Sequence, residues 1–379
     1  MSAVAAPRPH ADRAIIWGVL ALCAVGVVAV YSAVSFLAET KSGGDTERFL
    51  FRHLVRVGLA LGVAGVLSLV DYRALARGSK LALLGALALL VAVQVTGVVT
   101  NGAQRWIELG PVSFQPSDLG KVALILHVAV LLAKKQAYIG SLERGFAPLL
   151  VWIAPTVLLI GMEDLSTAAV LSLTMGAMLF VGRVRMLHMA VVALVGVVLA
   201  VAFLSTSPQR AARLEAWTGL ELFAQNDEAV AITGQDENYQ ADQARIAFAM
   251  GGVAGVGPGK SLQRDFLPAP YNDFIFAIIA EEYGIVGAGL VLLVFVWILG
   301  RGFLRVAKNA PDPLGLFLAT GLTTAVVLGG FVNAAVATGL LPVTGLAMPF
   351  VSYGGTSLIA TGAMVGVLLN VSRHSKTAA

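Results

Sequence analysis

Charge is scarce in this sequence. Only 13% of its 379 residues are Asp, Glu, Lys or Arg, about half the share of a soluble globular domain. A chain so poor in charge suits lipid as its solvent. Cysteine is scarcer still: the single Cys23 excludes an intrachain disulfide and a cysteine metal cluster. The five histidines (His10, His53, His127, His188 and His374) are scattered with no pair at ligand spacing, which argues against a protein-built metal cage. A net charge of +4, sorted by membrane side as shown below, argues against a nucleic-acid binder. No repeat of about 20–50 residues is present, which excludes a solenoid.

What the chain has instead is apolar length. Hydrophobic residues make up 58% of it and mean hydropathy is +0.83, with 41 glycines of the kind that let helices pack closely in a bilayer. A hydrocarbon core about 30 Å thick takes roughly 20 apolar residues per helix. Ten segments qualify, near 15–37, 54–70, 81–99, 118–133, 146–161, 165–181, 188–204, 274–304, 314–336 and 356–371. The expected fold is an all-α integral membrane protein of about ten transmembrane helices, with 1–379 forming a single membrane domain. Pro148 and Pro155 should kink the fifth helix. The eighth is too long for one straight span, and Glu281-Glu282-Tyr283-Gly284 predicts a short interfacial helix followed by the span proper. The first segment lacks a convincing cleavage site and reads as a retained anchor.

Charge sorts across these spans. Placing both termini in the cytoplasm gathers 15 of the 26 Lys and Arg residues into short inner segments, accompanied by only four acids (Asp12, Asp71, Glu143 and Asp312). The outer face then receives the unusual sequence. A large extracytoplasmic loop, 205–273, joins helices seven and eight and carries Glu215, Asp227, Asp242, Asp265 and Asp273. The Gln104–Asp118 loop brings Arg105, Trp106 and Gln115. The last loop, 337–355, has no charge but is dense in Gly, Pro, Ser, Thr and Tyr. Long loops of this composition are functional or disordered, and their interspersed apolar residues favour function.

Ala254-x-x-x-x-Gly259-Lys260-Ser261 fits a loose phosphate-binding P-loop, but Pro258 removes a donor and no buried strand precedes it. Nucleotide binding is rejected. A milder expectation survives, that the glycine-rich turn and Lys260 cradle another phosphate.

Four stretches carry a family resemblance. Val30-Tyr31-Ser32-Ala33 closes helix one. Arg105-Trp106-Ile107-Glu108-Leu109-Gly110 is followed by Phe114-Gln115-Pro116-Ser117-Asp118-Leu119-Gly120-Lys121. Leu267 to Ala277, containing Pro270-Tyr271-Asn272-Asp273-Phe274, runs into Glu281-Glu282-Tyr283-Gly284. Gly339-Leu340-Leu341-Pro342-Val343-Thr344-Gly345 precedes Pro349-Phe350-Val351-Ser352-Tyr353-Gly354-Gly355-Thr356-Ser357. In this order, on ten helices, they make the chain resemble the SEDS family (shape, elongation, division, sporulation) of bacterial peptidoglycan polymerases from first helix to last. It is more similar to the division branch, FtsW, than to the elongation branch, RodA.

The resemblance implies glycan transfer between two lipid II molecules in the bacterial cytoplasmic membrane, with a class B penicillin-binding protein and other division proteins as partners. An α-linked pyrophosphate leaving as a β-1,4 bond forms means inversion, so one displacement suffices. Such a reaction needs one carboxylate to take the acceptor proton and cations to stabilise the departing pyrophosphate. Asp273 could by position be only a helix N-cap; the resemblance makes it the catalytic aspartate. Lys121 could merely snorkel to the interface; the resemblance and the helix N-terminus suggest pyrophosphate binding. Trp106 is either an aromatic-belt residue or, by resemblance, part of the substrate cavity. Asp265 matches a second acidic position, and Arg245 and Arg48 are candidate phosphate contacts. Ser352 belongs to a stretch that shapes the cavity. Many members carry Glu and His where this chain has Ala269 and Tyr271, which leaves any shared role of those side chains in doubt. Mg²⁺ or Mn²⁺ bridging the pyrophosphate and a carboxylate is the expected cofactor. Two rival readings remain open, a lipid II flippase or other transporter and a non-catalytic division scaffold; acids clustered outside the spans favour an enzyme.

Overall fold

The computed structural model describes residues 11–41, 46–100, 103–109, 112–205, 208–220, 228–267 and 269–375. Among residues singled out above, His10, Gly110, Asp227 and Pro268 lie outside the described residues, as do the side chains of Arg105 and Glu108. The chain forms helices α1 (Arg13–Lys41), α2 (Thr46–Leu69), α3 (Tyr72–Thr96), α4 (Pro116–Lys135), α5 (Ala147–Glu163), α6 (Leu165–Val181) and α7 (Met186–Ser205). These are followed by α8 (Pro208–Thr218), α9 (Glu228–Gly251), α10 (Ile275–Gly300), α11 (Pro313–Ala337) and α12 (Thr356–His374). Nine of the described helices are long and apolar enough to cross a membrane, and α6 is a shorter apolar helix. The chain is a multi-pass membrane protein. All ten expected segments coincide with helices.

Burial separates inner from outer helices. In α4, α11 and α12, 67% of the best apolar window is buried, whereas in α7 none is. Lipid tails are as apolar as Leu, so close packing rather than apolar burial must hold the inner helices together. The α2–α12 seam shows how. A Cβ added to Gly362 would lie 2.3 Å from the Ala60 carbonyl oxygen, and one added to Gly366 2.7 Å from that of Ala64. Small residues four apart on both helices bring the backbones together. Gly362→Leu should therefore cost at least about 1–3 kcal/mol by overpacking and lower the melting temperature in detergent. Gly289→Leu, where a Cβ meets open space, is the control and should change it little.

Three features of the structure go beyond the expectations or correct them. First, the segment after α3 carries strands: β1 (Val98–Thr100), β2 (Ala103–Leu109) and β3 (Val112–Phe114) form an antiparallel sheet with Val98 opposite Trp106 and Ile107 opposite Phe114. The fold is therefore helical with a small three-stranded appendage. β-Branched residues before the Asn101-Gly102 dipeptide were the available hairpin signal. Second, Pro148 sits in the first turn of α5, where a missing N–H costs nothing, so only Pro155 is internal. Third, the described part of the 205–273 loop includes the helices α8 and α9.

The expected interruption of the eighth segment is present in α10. Its break falls at Gly284, with φ 66° and ψ −171°. The part before it, Ile275 to Glu282, is buried within the protein. The chain crosses itself here: a Cβ on Gly255 would meet the Glu282 carbonyl oxygen at 2.1 Å and one on Gly284 the Val253 carbonyl oxygen at 2.2 Å. Glycine is required on both sides of this contact.

Candidate active site

A cavity of about 320 Å³ opens where α4, α6 and α12 begin and α11 ends. Its walls include Arg56 of α2, Trp106 of β2, Asp118 and Lys121 of α4, Tyr271 and Asn272 before α10, and Ser352 and Tyr353 before α12. Three of the four stretches that carried the resemblance thus meet in space.

The start of α4 explains the Lys121 wall. Pro116 occupies the first turn, and Asp118 places a carboxylate where the helix dipole favours one. Asp118 is buried, accepts a hydrogen bond from Thr356 Oγ1 at 2.8 Å and lies 2.8 Å from Lys121 Nζ. The Gln115 amide donates to the same Thr356 hydroxyl at 3.3 Å. These bonds tie the first turns of α4 and α12 together. They also give Lys121 a carboxylate partner within its own helix face.

The segment bearing Asp273 is clamped by the 338–355 loop. Ser352 Oγ donates to the Asn272 carbonyl and accepts from the Met348 amide, both at 2.7 Å. The Tyr353 amide donates to the Tyr271 carbonyl at 2.9 Å. Asn333 Nδ2 donates to the carbonyls of Asp273, at 3.0 Å, and Leu346, at 2.7 Å. Asp273 is partly exposed and directly follows the cavity-lining Asn272. The cap position of α10 is held by Phe274, with no side-chain capping bond. Burial first, then the neighbouring Tyr353 and Asp273, push the Tyr271 phenol above its ordinary value. It is therefore a neutral hydrogen-bond donor at neutral pH.

Other candidates lie elsewhere. Asp265, at the end of a short 3₁₀ turn, lies 3.4 Å from Arg264. Arg245 on α9 is 57% exposed and 3.2 Å from Asp242. Arg48 is exposed in the first turns of α2. None of the three lines the cavity. Arg56 does line it, and its signal in the sequence is a charge inside an apolar span.

The glycine-rich turn does not present an open phosphate cradle. The Val256 and Gly257 amides donate to the Glu281 and Glu282 carbonyls at 2.9 and 3.0 Å. The Leu262 and Gln263 amides donate to the Glu281 carboxylate at 2.9 and 3.3 Å, and Ser261 Oγ donates to it as well. The anion in this loop is the protein's own Glu281. Among the described residues no group of three or more His, Cys, Asp or Glu is placed to hold a metal ion.

The family model of the FtsW/RodA/SpoVE cell cycle proteins matches residues 13–377. Stage V sporulation protein E of Bacillus subtilis is 37% identical over 94% of this chain and 95% of that protein. A probable peptidoglycan glycosyltransferase FtsW of Geobacter sulfurreducens is 38% identical over 97% and 96%. Among solved structures, a chain of a peptidoglycan synthase complex that coordinates polymerisation and crosslinking superposes with a TM-score of 0.75 at 29% identity, covering 96% of this chain and 98% of that one. The rod shape determining protein RodA of Thermus thermophilus superposes with a TM-score of 0.70 at 27% identity, covering 97% and 98%. With a match running from its first described helix to its last, the chain belongs to the SEDS family of FtsW, RodA and SpoVE cell cycle proteins and is FtsW-like within it.

Proposed function

We propose that this protein is a peptidoglycan glycosyltransferase that polymerises lipid II into β-1,4 glycan strands during cell division. The observation that carries the reading is one juxtaposition. A cavity walled by Lys121 and Trp106 adjoins the clamped segment that bears Asp273, in a chain 38% identical over nearly its full length to a probable peptidoglycan glycosyltransferase.

The reaction is a single inverting displacement. The acceptor hydroxyl oxygen attacks the anomeric carbon of the donor as the bond from that carbon to the pyrophosphate oxygen breaks. Asp273 takes the hydroxyl proton as general base. The bond's electron pair leaves with the pyrophosphate, whose charge Lys121 stabilises. Trp106 forms an apolar wall for the donor. Ser352 acts at one remove, since its hydroxyl is spent on the Asn272 carbonyl and the Met348 amide and holds the Asp273 segment against the cavity. The two carboxylates that line the cavity are engaged, Asp118 with Lys121 and Asp164 with the first amides of α6. A divalent ion such as Mg²⁺ or Mn²⁺ would therefore arrive with the pyrophosphate rather than occupy a resident site. Bound there, it would add charge neutralisation at the leaving group.

The cavity faces outward from the cytoplasmic membrane, with both termini inside. A class B penicillin-binding protein is the partner that activates it, alongside other division proteins. Incubating the purified protein with lipid II, with and without that partner, tests the activity; glycan polymer is the expected product, and its absence in both mixtures overturns the reading. Orientation has its own test in a Cys23→Ala background. A cysteine at Tyr239, 45% exposed on α9, should react with a membrane-impermeant thiol reagent in intact spheroplasts. One at the exposed Lys308 should not. Reversed labelling would overturn the topology and the outward-facing site with it.

A further inference from the structure

We propose that Arg56 is a second anion-binding residue of the cavity, taking the diphosphate of a lipid-linked substrate. This inference rests on the glycosyltransferase reading above and deepens it.

Charge accounting carries the argument. Four formally charged side chains line the cavity: Arg56, Lys121, Asp118 and Asp164. Lys121 is paired with Asp118 at 2.8 Å. Asp164 caps α6, accepting from the amides of Ser166 and Thr167 and from Thr167 Oγ1, each at 3.0 Å. Arg56 has no carboxylate within 4 Å among the described residues. It sits inside the apolar span Thr46–Leu69, where an ionised group is expensive and is retained for function. The cation that the fold leaves without a carboxylate is therefore Arg56 rather than Lys121.

The surroundings of Arg56 hold it in place without neutralising it. Its guanidinium carbon lies 4.5 Å from the centroid of the Tyr353 ring, a contact that uses the charge but offers no carboxylate. Tyr353 is itself fixed. Its amide bonds the Tyr271 carbonyl, its ring meets Tyr271 edge-on at 5.6 Å, and its other neighbour is His53 at 5.5 Å. His53 is fully buried and, among the described residues, neither ring nitrogen has a hydrogen-bond partner; it offers Arg56 no anion. A planar guanidinium fork suits two adjacent phosphate oxygens better than a point charge does, and the neutral Tyr271 hydroxyl adds a donor to the same wall. Because Tyr271 and Tyr353 also position the Asp273 segment, a diphosphate on Arg56 would be registered against the general base.

The competing view is that Arg56 only braces Tyr353, and stability separates the two. The test uses the full chain in zwitterionic nanodiscs, with undecaprenyl pyrophosphate and undecaprenol as probes. Arg56→Met keeps an unbranched side chain but no charge. It should weaken undecaprenyl pyrophosphate binding by about tenfold to a hundredfold, the range for losing a hydrogen bond to a charged group. Undecaprenol binding should not change, and the melting temperature should hold or rise because a charge has left the membrane interior. Arg56→Lys should recover part of the affinity. Arg56→Gln, polar and uncharged, is read in the same way if Arg56→Met does not fold. Wild-type affinity for the diphosphate lipid in either uncharged variant overturns the inference, as does a joint loss of undecaprenol binding and thermal stability. Displacement of the probe by phosphatidylglycerol at equal concentration would also overturn it, since the site would then take any lipid phosphate. A wild-type protein that does not bind the diphosphate lipid overturns both this inference and the function it rests on.

Discussion

Asp273→Asn should yield a folded, membrane-inserted protein that binds lipid II and its penicillin-binding partner yet makes no detectable glycan polymer. The substitution keeps the size of the side chain and its ability to accept hydrogen bonds, and removes its capacity to take a proton. Loss of a general base costs roughly 10²- to 10⁴-fold in rate. The fold should tolerate the change. What the clamp holds at this position is the backbone carbonyl, through Asn333 Nδ2, and the neighbouring Ser352–Asn272 bond is untouched. A purely structural role predicts the opposite result, because asparagine keeps the backbone carbonyl that Asn333 holds and activity would survive. Polymer yield near the wild-type level would end the assignment of Asp273 as the base. Lipid II binding should be measured beside it, so that a silent enzyme is distinguished from an empty one.

Lys121→Ala should weaken lipid II binding, with Lys121→Arg retaining part of it, because a point-charge contact depends more on charge than on shape. The structure adds a second expected effect. Removing the lysine leaves Asp118 without its cation, its side chain only 3% exposed. Breaking a buried pair from one side costs about 3–5 kcal/mol, and the 21% exposure of Lys121 places this pair toward the lower end. The single variant should therefore melt earlier as well as bind less. Pairing it with Asp118→Asn separates the two effects. The double variant should regain stability, since no orphaned carboxylate remains, while lipid II binding stays weak. If binding returns together with stability, Lys121 serves the fold and not the substrate.

Sequence by itself determined the membrane class, the ten helical segments and the place where the eighth breaks. Each of these is written locally: a run of apolar residues either spans the hydrocarbon or does not, and Gly284 permits a backbone turn whatever surrounds it. Motif order was likewise enough to reach the family and to point at Asp273 and Lys121. Tertiary structure alone decided which side chains share a wall. Arg245 and Arg48 stand apart from the cavity, while Arg56 enters it; a charge within an apolar span marks Arg56 as unusual, but only packing shows which wall it joins. The same holds for the glycine-rich turn. Its amides resemble a phosphate cradle until the chain returns 20 residues later and fills it with the Glu281 carboxylate. The physical reason is common to both cases: where a charge finds its partner depends on contacts between segments remote in sequence, and these exist only once the helices have packed.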